Sequence, residues 1–159
     1  MPDYQAITVW QPWATLIAEG AKRFEFRGWA PPQSMWGTRI AIHAGARPVR
    51  KAEVRELLLK LHSSYWRETG IDRQAGIEIL TPILMAPWTL PLSSVLCIAT
   101  LGAPVRNEKL AAELGTRLVN DSDLGEHTNF GWPLGAIEQL RPFVPAKGRQ
   151  GFWRWSASA

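Results

Sequence analysis

In the segment Arg23-Phe24-Glu25-Phe26-Arg27, charged and aromatic residues alternate without a break. Only an extended strand puts successive side chains on opposite faces. The pattern therefore fixes a strand with Phe24 and Phe26 toward a core and Arg23, Glu25 and Arg27 together on the other side. One face of the molecule's sheet is polar by construction, and any fold for this chain has to find a use for that face.

Further strands are predicted around it. Ala6 to Trp10 is rich in β-branched and aromatic residues and ends at Gln11-Pro12. Thr38 to Ala44 alternates so that Ile40 and Ile42 share one side and Arg39 and His43 the other. Ser94 to Leu101 is a nearly continuous apolar run, as a central strand requires. Trp132 to Leu140, despite Pro133, and Phe152 to Trp155 complete the set, with Ile137 inward and Glu138 outward or the reverse. A helix from Pro12 stops at Gly20, an amphipathic helix covers about 50–66 and docks on the sheet, and a short one runs from Asn107, as cap, to Gly115, as stop. The stretch 67–91, punctuated by Gly70, Gly76, Pro82, Pro87 and Pro91, reads as a short helix and a packed loop, and Asn120 to Asn129 as an exposed acidic loop. Five or six short strands with about three helices fit an α+β mixed barrel with helical insertions rather than alternating βαβ units.

With 159 residues, 46% of them apolar and 20% charged, a single domain can bury a core without disulfides. The one cysteine, Cys97, lies within an apolar run and reads as a small core residue. No apolar stretch approaches the roughly 18 residues that a membrane span needs, and Met1-Pro2-Asp3 does not begin a leader peptide, so a soluble cytoplasmic protein is expected. His43, His62 and His127 are far apart and no metal-binding, phosphate-loop or nucleophile-elbow motif occurs, which predicts no metal and no cofactor. Oligomeric state is not legible.

The net charge of +4 is uneven. Residues 39–55 hold Arg39, Arg47, Arg50, Lys51 and Arg55 against Glu53 alone, and the segment from 128 onward holds Arg141, Lys147, Arg149 and Arg154 against Glu138. Brought together, these segments form a groove suited to a phosphate backbone; kept apart, they are ordinary solvated surface. Two readings also stand for the strand trio. Arg27 can clamp a phosphate or carboxylate, Glu25 accept a proton and Lys22 stabilise developing negative charge, or Glu25 simply pairs with an arginine across a solvated sheet. His43 is either an acid/base group or a hydrogen-bonded structural residue. Lys147-Gly148-Arg149-Gln150-Gly151 is either an amide-lined phosphate cradle or a basic turn. Of the nine tryptophans, Trp10, Trp13 and Trp153 can either stack on a base or pack the core.

Thr8-Val9-Trp10-Gln11-Pro12-Trp13-Ala14, followed by Gly20-Ala21-Lys22 and Glu25-Phe26-Arg27, resembles the start of ASCH domains, and Lys147-Gly148-Arg149-Gln150-Gly151-Phe152-Trp153 resembles their end. ASCH domains are similar in fold to PUA domains. The resemblance thus implies a PUA-like mixed β-barrel of five to six strands with flanking helices, in a single domain over 1–159 with a helical insertion at about 45–92. It also implies a cleft lined by the Gly-x-Lys-x-x-Glu-x-Arg strand. The family is associated with RNA, its roles ranging from transcription coactivator modules to ribonucleases and to amidohydrolases that deacylate N4-acetylcytidine. In the amidohydrolase branch the site is a lysine, a threonine three residues later and a more distant glutamate. Lys22 matches the lysine, Glu25 stands where the threonine would be, and Glu108, Glu113 and Glu138 are candidates for the glutamate. Longer prokaryotic members with a Lys-Gly-x-Gln-Gly ending are closer in pattern, and ribonuclease activity occurs among them.

The expected function is binding of single-stranded RNA or a nucleotide, with metal-independent RNA cleavage as the sharper form. Lys22, Glu25 and His43 are then catalytic, and Gln11, Trp13, Arg27, Arg39, Lys147, Arg149, Gln150 and Trp153 hold the substrate. An amidohydrolase acting on modified nucleosides and a binding module without chemistry are the alternatives.

Overall fold

A computed structural model describes residues 2–120 and 129–157. The polar-faced strand is β2 (Phe24–Arg27), and the others are β1 (Asp3–Val9), β3 (Arg39–Ala44), β4 (Ser94–Leu101), β5 (Val105–Arg106), β6 (Phe130–Pro145) and β7 (Trp153–Ser156). Among the described residues, seven strands thus stand where five or six were expected, because the two-residue β5 carries no sequence signal of its own. They form one sheet in the order β2-β6-β4-β3-β1-β7, with β5 pairing β6 beside the main path. β1 and β3 run parallel while every other pairing is antiparallel, so the sheet is mixed. β4 is central, and its burial on both faces explains its unbroken apolar run.

The long β6 does the most to shape the sheet. Its first residues pair with β2 and β5, the remainder with β4, and two register shifts in the β4 pairing bend it between these partners. The sheet curls far enough that Arg27 of β2, at one end of the path, donates a 2.8 Å hydrogen bond to the Thr8 carbonyl of β1 near the other.

Helix α1 (Trp13–Ala18) packs Ala14, Ile17 and Ala18 on the inner face of the sheet, among Ile7, Ile40, Leu96 and Trp132. It ends as expected at Gly20, whose φ of 80° suits a residue without Cβ. α2 (Lys51–His62) is amphipathic as its spacing predicts, but it is shorter than 50–66, and its apolar face meets another helix instead of the sheet. That partner is α3 (Arg73–Met85), a 13-residue helix where the breakers suggested a short helix and a loop. Gly76 is a contact residue here, since a Cβ on it would stand 2.8 Å from Ile71 and 3.1 Å from Leu61. Pro82 lies inside this helix, near its C-terminal end, and gives up one hydrogen bond, the one an N–H at this position would make to the Glu78 carbonyl. Leu16 of α1 joins α2 and α3 in this second core, so the helical pair is tied to the sheet through α1.

In α4 (Asn107–Leu114) the stop at Gly115 is as expected, but Asn107 does not cap. It occupies the first helical position, and its amide brackets Val119, donating to the carbonyl and accepting from the N–H. Ile137 faces the core and Glu138 is exposed. The acidic loop expected at 120–129 lies, apart from its two end residues, outside the described residues. Burial of Cys97 pushes its thiol up to about 12, which leaves it an inert core residue. Among the described residues no helix is long and apolar enough to cross a membrane.

Candidate functional site

The polar face of β2 does not meet bulk water. It forms the floor of a cleft of about 1130 Å³ that is walled by the end of β1, by residues 45–60 and by the loop 147–151. Arg47 and Arg50 from one basic segment of the sequence and Lys147 and Arg149 from the other thus line one opening.

On the floor, Glu25 is buried and well ordered by its neighbours. Its Oε1 accepts the Phe26 N–H at 2.9 Å and lies 3.7 Å from the Lys22 ammonium, while Oε2 is 3.4 Å from the Arg27 guanidinium. A carboxylate between two cations and a backbone N–H is held in one rotamer. Arg27 is anchored by the Thr8 carbonyl and keeps 22% of its side chain exposed to the cleft.

Lys22 departs from expectation. Its side chain has no exposed surface and does not line the cleft. The ammonium donates to the Phe24 carbonyl, stands 4.4 Å from the Phe26 ring centroid and supports Glu25 from below. Lys22 precedes β2 and is held by a bridge to Ile71, which turns its side chain under the strand between the Phe26 ring and Glu25. Its ammonium is enclosed by the Phe24 carbonyl, the Glu25 carboxylate and the Phe26 ring.

His43 is also built in. Its Nε2 lies 2.7 Å from the Ala146 carbonyl, which can only accept, so this nitrogen carries the proton. Burial, opposed in part by that hydrogen bond, holds the imidazole below its ordinary value of 6.5 and therefore neutral at pH 7. Nδ1 is then an acceptor, and the Thr8 hydroxyl, 3.2 Å away, donates to it while receiving the Trp153 indole N–H, also at 3.2 Å. The chain from Trp153 through Thr8 and His43 to Ala146 has a single direction of donation. It fastens the 147–151 loop, because a Cβ on Gly148 would stand only 2.6 Å from both the His43 ring and the Thr8 hydroxyl. With both nitrogens engaged, His43 serves as a seat for the loop, not as a free proton acceptor.

Of the remaining expected residues, Trp13, Lys147, Arg149 and Gln150 line the cleft, and the last three are exposed. Neither Lys147 nor Arg149 forms an ion pair among the described residues. Gln11, Arg39 and Trp153 are elsewhere. Gln11 is fully buried, its amide donating to Thr15 and to the Pro91 carbonyl and accepting the Thr15 N–H, so it locks the start of α1. Arg39 is spent on Thr100, the Ala136 carbonyl and Glu138 across the sheet. Trp153 lies beneath Thr8, its ring edge-on to His43 at 5.3 Å. The unforeseen contributors are Thr8, Trp29, Arg47 and Arg50. The surplus of bases in 39–55 was the only signal for the last two, and the only one for Thr8 was its place at the head of the motif that resembles ASCH domains. Among the described residues no three His, Cys, Asp or Glu side chains gather as a metal site.

A family model described as the ASCH domain matches residues 7–85. The crystal structure of ASCH from Zymomonas mobilis is similar at 16% identity with a TM-score of 0.52, covering 97% of this chain and 88% of that one. A crystal structure of a serine-to-alanine mutant of ZmASCH, from the same organism, is 19% identical with a TM-score of 0.47, covering 89% of this chain and 72% of that one. At such identity the first of these shows a shared fold alone. No curated protein matches significantly.

Proposed function

We propose that this protein, which belongs to the ASCH domain family, binds single-stranded RNA in the cleft above β2 and cleaves it there. The observation that carries the reading is the pairing of a fixed carboxylate, Glu25, with a cleft-facing guanidinium, Arg27, under a rim where Lys147 and Arg149 have no ion-pair partner among the described residues. A phosphodiester needs these groups: cations to offset the charge of its oxygens and a base beside the 2′-hydroxyl.

Glu25 accepts the 2′-hydroxyl proton. The 2′-oxygen then bonds to phosphorus as the bond to the 5′-oxygen breaks, and that oxygen takes a proton from water. The products are a 2′,3′-cyclic phosphate and a free 5′-hydroxyl. Arg27 neutralises charge on the non-bridging oxygens, and Lys147 and Arg149 hold the flanking backbone. Lys22 acts through Glu25, and His43 through the loop that presents the cations.

The test incubates the protein, with EDTA present, with a short single-stranded RNA and separately with N4-acetylcytidine, following products by mass. Cyclic-phosphate fragments that disappear in Glu25→Gln and Arg27→Ala support the reading. Acetate released from the nucleoside, with RNA intact, replaces it by an amidohydrolase. Bound RNA with no product, and an affinity that falls steeply with salt, leaves a recognition module.

A further inference from the structure

Trp10 follows the last residue of β1 at the mouth of the cleft, and 48% of its surface is exposed. It is nevertheless fixed. The Arg47 guanidinium carbon stands 4.1 Å from the ring centroid, covering one face, and Arg47 is itself bound to Glu53 at 2.8 Å. The ring edge abuts the chain at Gly45, where a Cβ would lie 3.3 Å from the indole.

The partners of this ring are committed to it. Burial pushes the Glu53 carboxyl up, but its hydrogen bonds from Arg47 and the Arg50 N–H, with the charges of both arginines, outweigh this and hold it ionised below its ordinary value. The Arg47 charge is thereby neutralised, and its Nε is buried without a hydrogen-bond partner. Arg47 is thus a poor phosphate ligand and a good backing for an aromatic ring. Arg50, three residues on, is different: its side chain is 75% exposed and only 3.7 Å from Glu53 at its nearest, leaving donors free. A rigid apolar platform next to an exposed cation is the complement of a nucleobase and its phosphate.

Building on the RNA reading, we infer that Trp10, backed by Arg47, is a second base-binding subsite. It stacks the nucleobase neighbouring the nucleotide held at Glu25 and Arg27, while Arg50 takes the phosphate on the rim side. Trp10 is two residues beyond Thr8, whose carbonyl anchors Arg27, so roughly 7 Å of extended chain separates the two subsites. One extended nucleotide bridges such a gap. The occupant is therefore at least a dinucleotide, and a single nucleoside fills only the floor.

Fluorescence anisotropy with an end-labelled single-stranded decanucleotide, with a mononucleotide as competitor, tests this on wild type, Trp10→Phe, Trp10→Leu and Arg27→Ala. Melting curves check that each variant is folded. Trp10→Leu is expected to weaken oligonucleotide binding about 5- to 100-fold, with Trp10→Phe within about 3-fold of wild type. Mononucleotide competition is expected to be unchanged, as is the slope of log affinity against log salt, because no phosphate contact is removed. If Trp10→Leu binds the decanucleotide as tightly as wild type while Arg27→Ala does not, the subsite is overturned and the RNA cleft stands. A loss in Trp10→Leu that falls equally on mononucleotide and oligonucleotide also overturns it. If wild type binds neither ligand, the RNA reading and the subsite fall together.

Discussion

The floor of the cleft and its rim both carry cations, but in opposite states. On the floor Lys22 is enclosed and Arg27 anchored, each tied to Glu25 or to a backbone carbonyl. On the rim Lys147 and Arg149 lie in water with no carboxylate beside them among the described residues. A charge that is fully partnered serves the geometry of its neighbours, whereas an unpartnered one in solvent is available to a ligand. The same residue types therefore do different work within one opening, and substitution at each level is expected to read out differently.

Lys22→Met breaks this contrast most severely. Removing one member of an enclosed ion pair leaves Glu25 short of a partner and is expected to cost about 3 kcal/mol of stability, measured by urea unfolding. A variant as stable as wild type would show that the floor does not depend on the pair. Next comes Thr8→Val, which keeps the shape of the side chain but strands the Trp153 N–H and the His43 Nδ1. About 1–3 kcal/mol is expected, recovered in Thr8→Ser; equal melting of all three would mean the hydroxyl relay is idle.

The His43 seat gives a pH signature. Its folded pKa lies below the unfolded value near 6.5, so the unfolded chain takes up the proton first as pH falls. The stabilisation from neutral His43 is complete above about 6.5 and is lost as pH drops through the depressed folded value. Wild type is thus expected to lose stability relative to His43→Gln in melting curves taken from pH 7.5 down to 5; a constant gap between them would contradict the assignment. The mildest change in stability is on the rim. Lys147→Ala combined with Arg149→Ala is expected to alter stability by less than about 0.5 kcal/mol while lowering the salt slope of RNA binding by about 1.4. A destabilised double variant would erase the distinction between rim and floor.

How far the sequence is readable follows the same division. Alternation at 23–27, the apolar run at 94–101 and the stop at Gly20 are local signals, and the strands and helix end they predict are present. Parity also assigned Glu25 and Arg27 to one face, but it does not reach Lys22, which precedes the strand and contacts both the Phe26 ring and Glu25. What pattern cannot supply is the tertiary partner. Arg39 and His43 share a parity, yet Ile40, Ala41 and Ile42 of β3 lie between them, and one faces Glu138 while the other meets Ala146. Gly76 and Pro82 look like helix breakers until Leu61 and Ile71 are seen pressed against the first of them. Thr8 is an ordinary strand residue by sequence, and only the fold places it between an indole and an imidazole.

The antiparallel register that joins Asp3–Ala6 to Trp153–Ser156 has a consequence in time. Synthesis is vectorial, and contacts this distant in sequence carry the largest loop-closure cost and form late. A nascent chain that has emerged only as far as Leu140 can already pair β1, β3 and β4, yet it lacks the loop that His43 seats and both of its cations. The order of translation thus separates folding of the scaffold from assembly of the opening. A growing polypeptide has no completed cleft until its last strand has emerged.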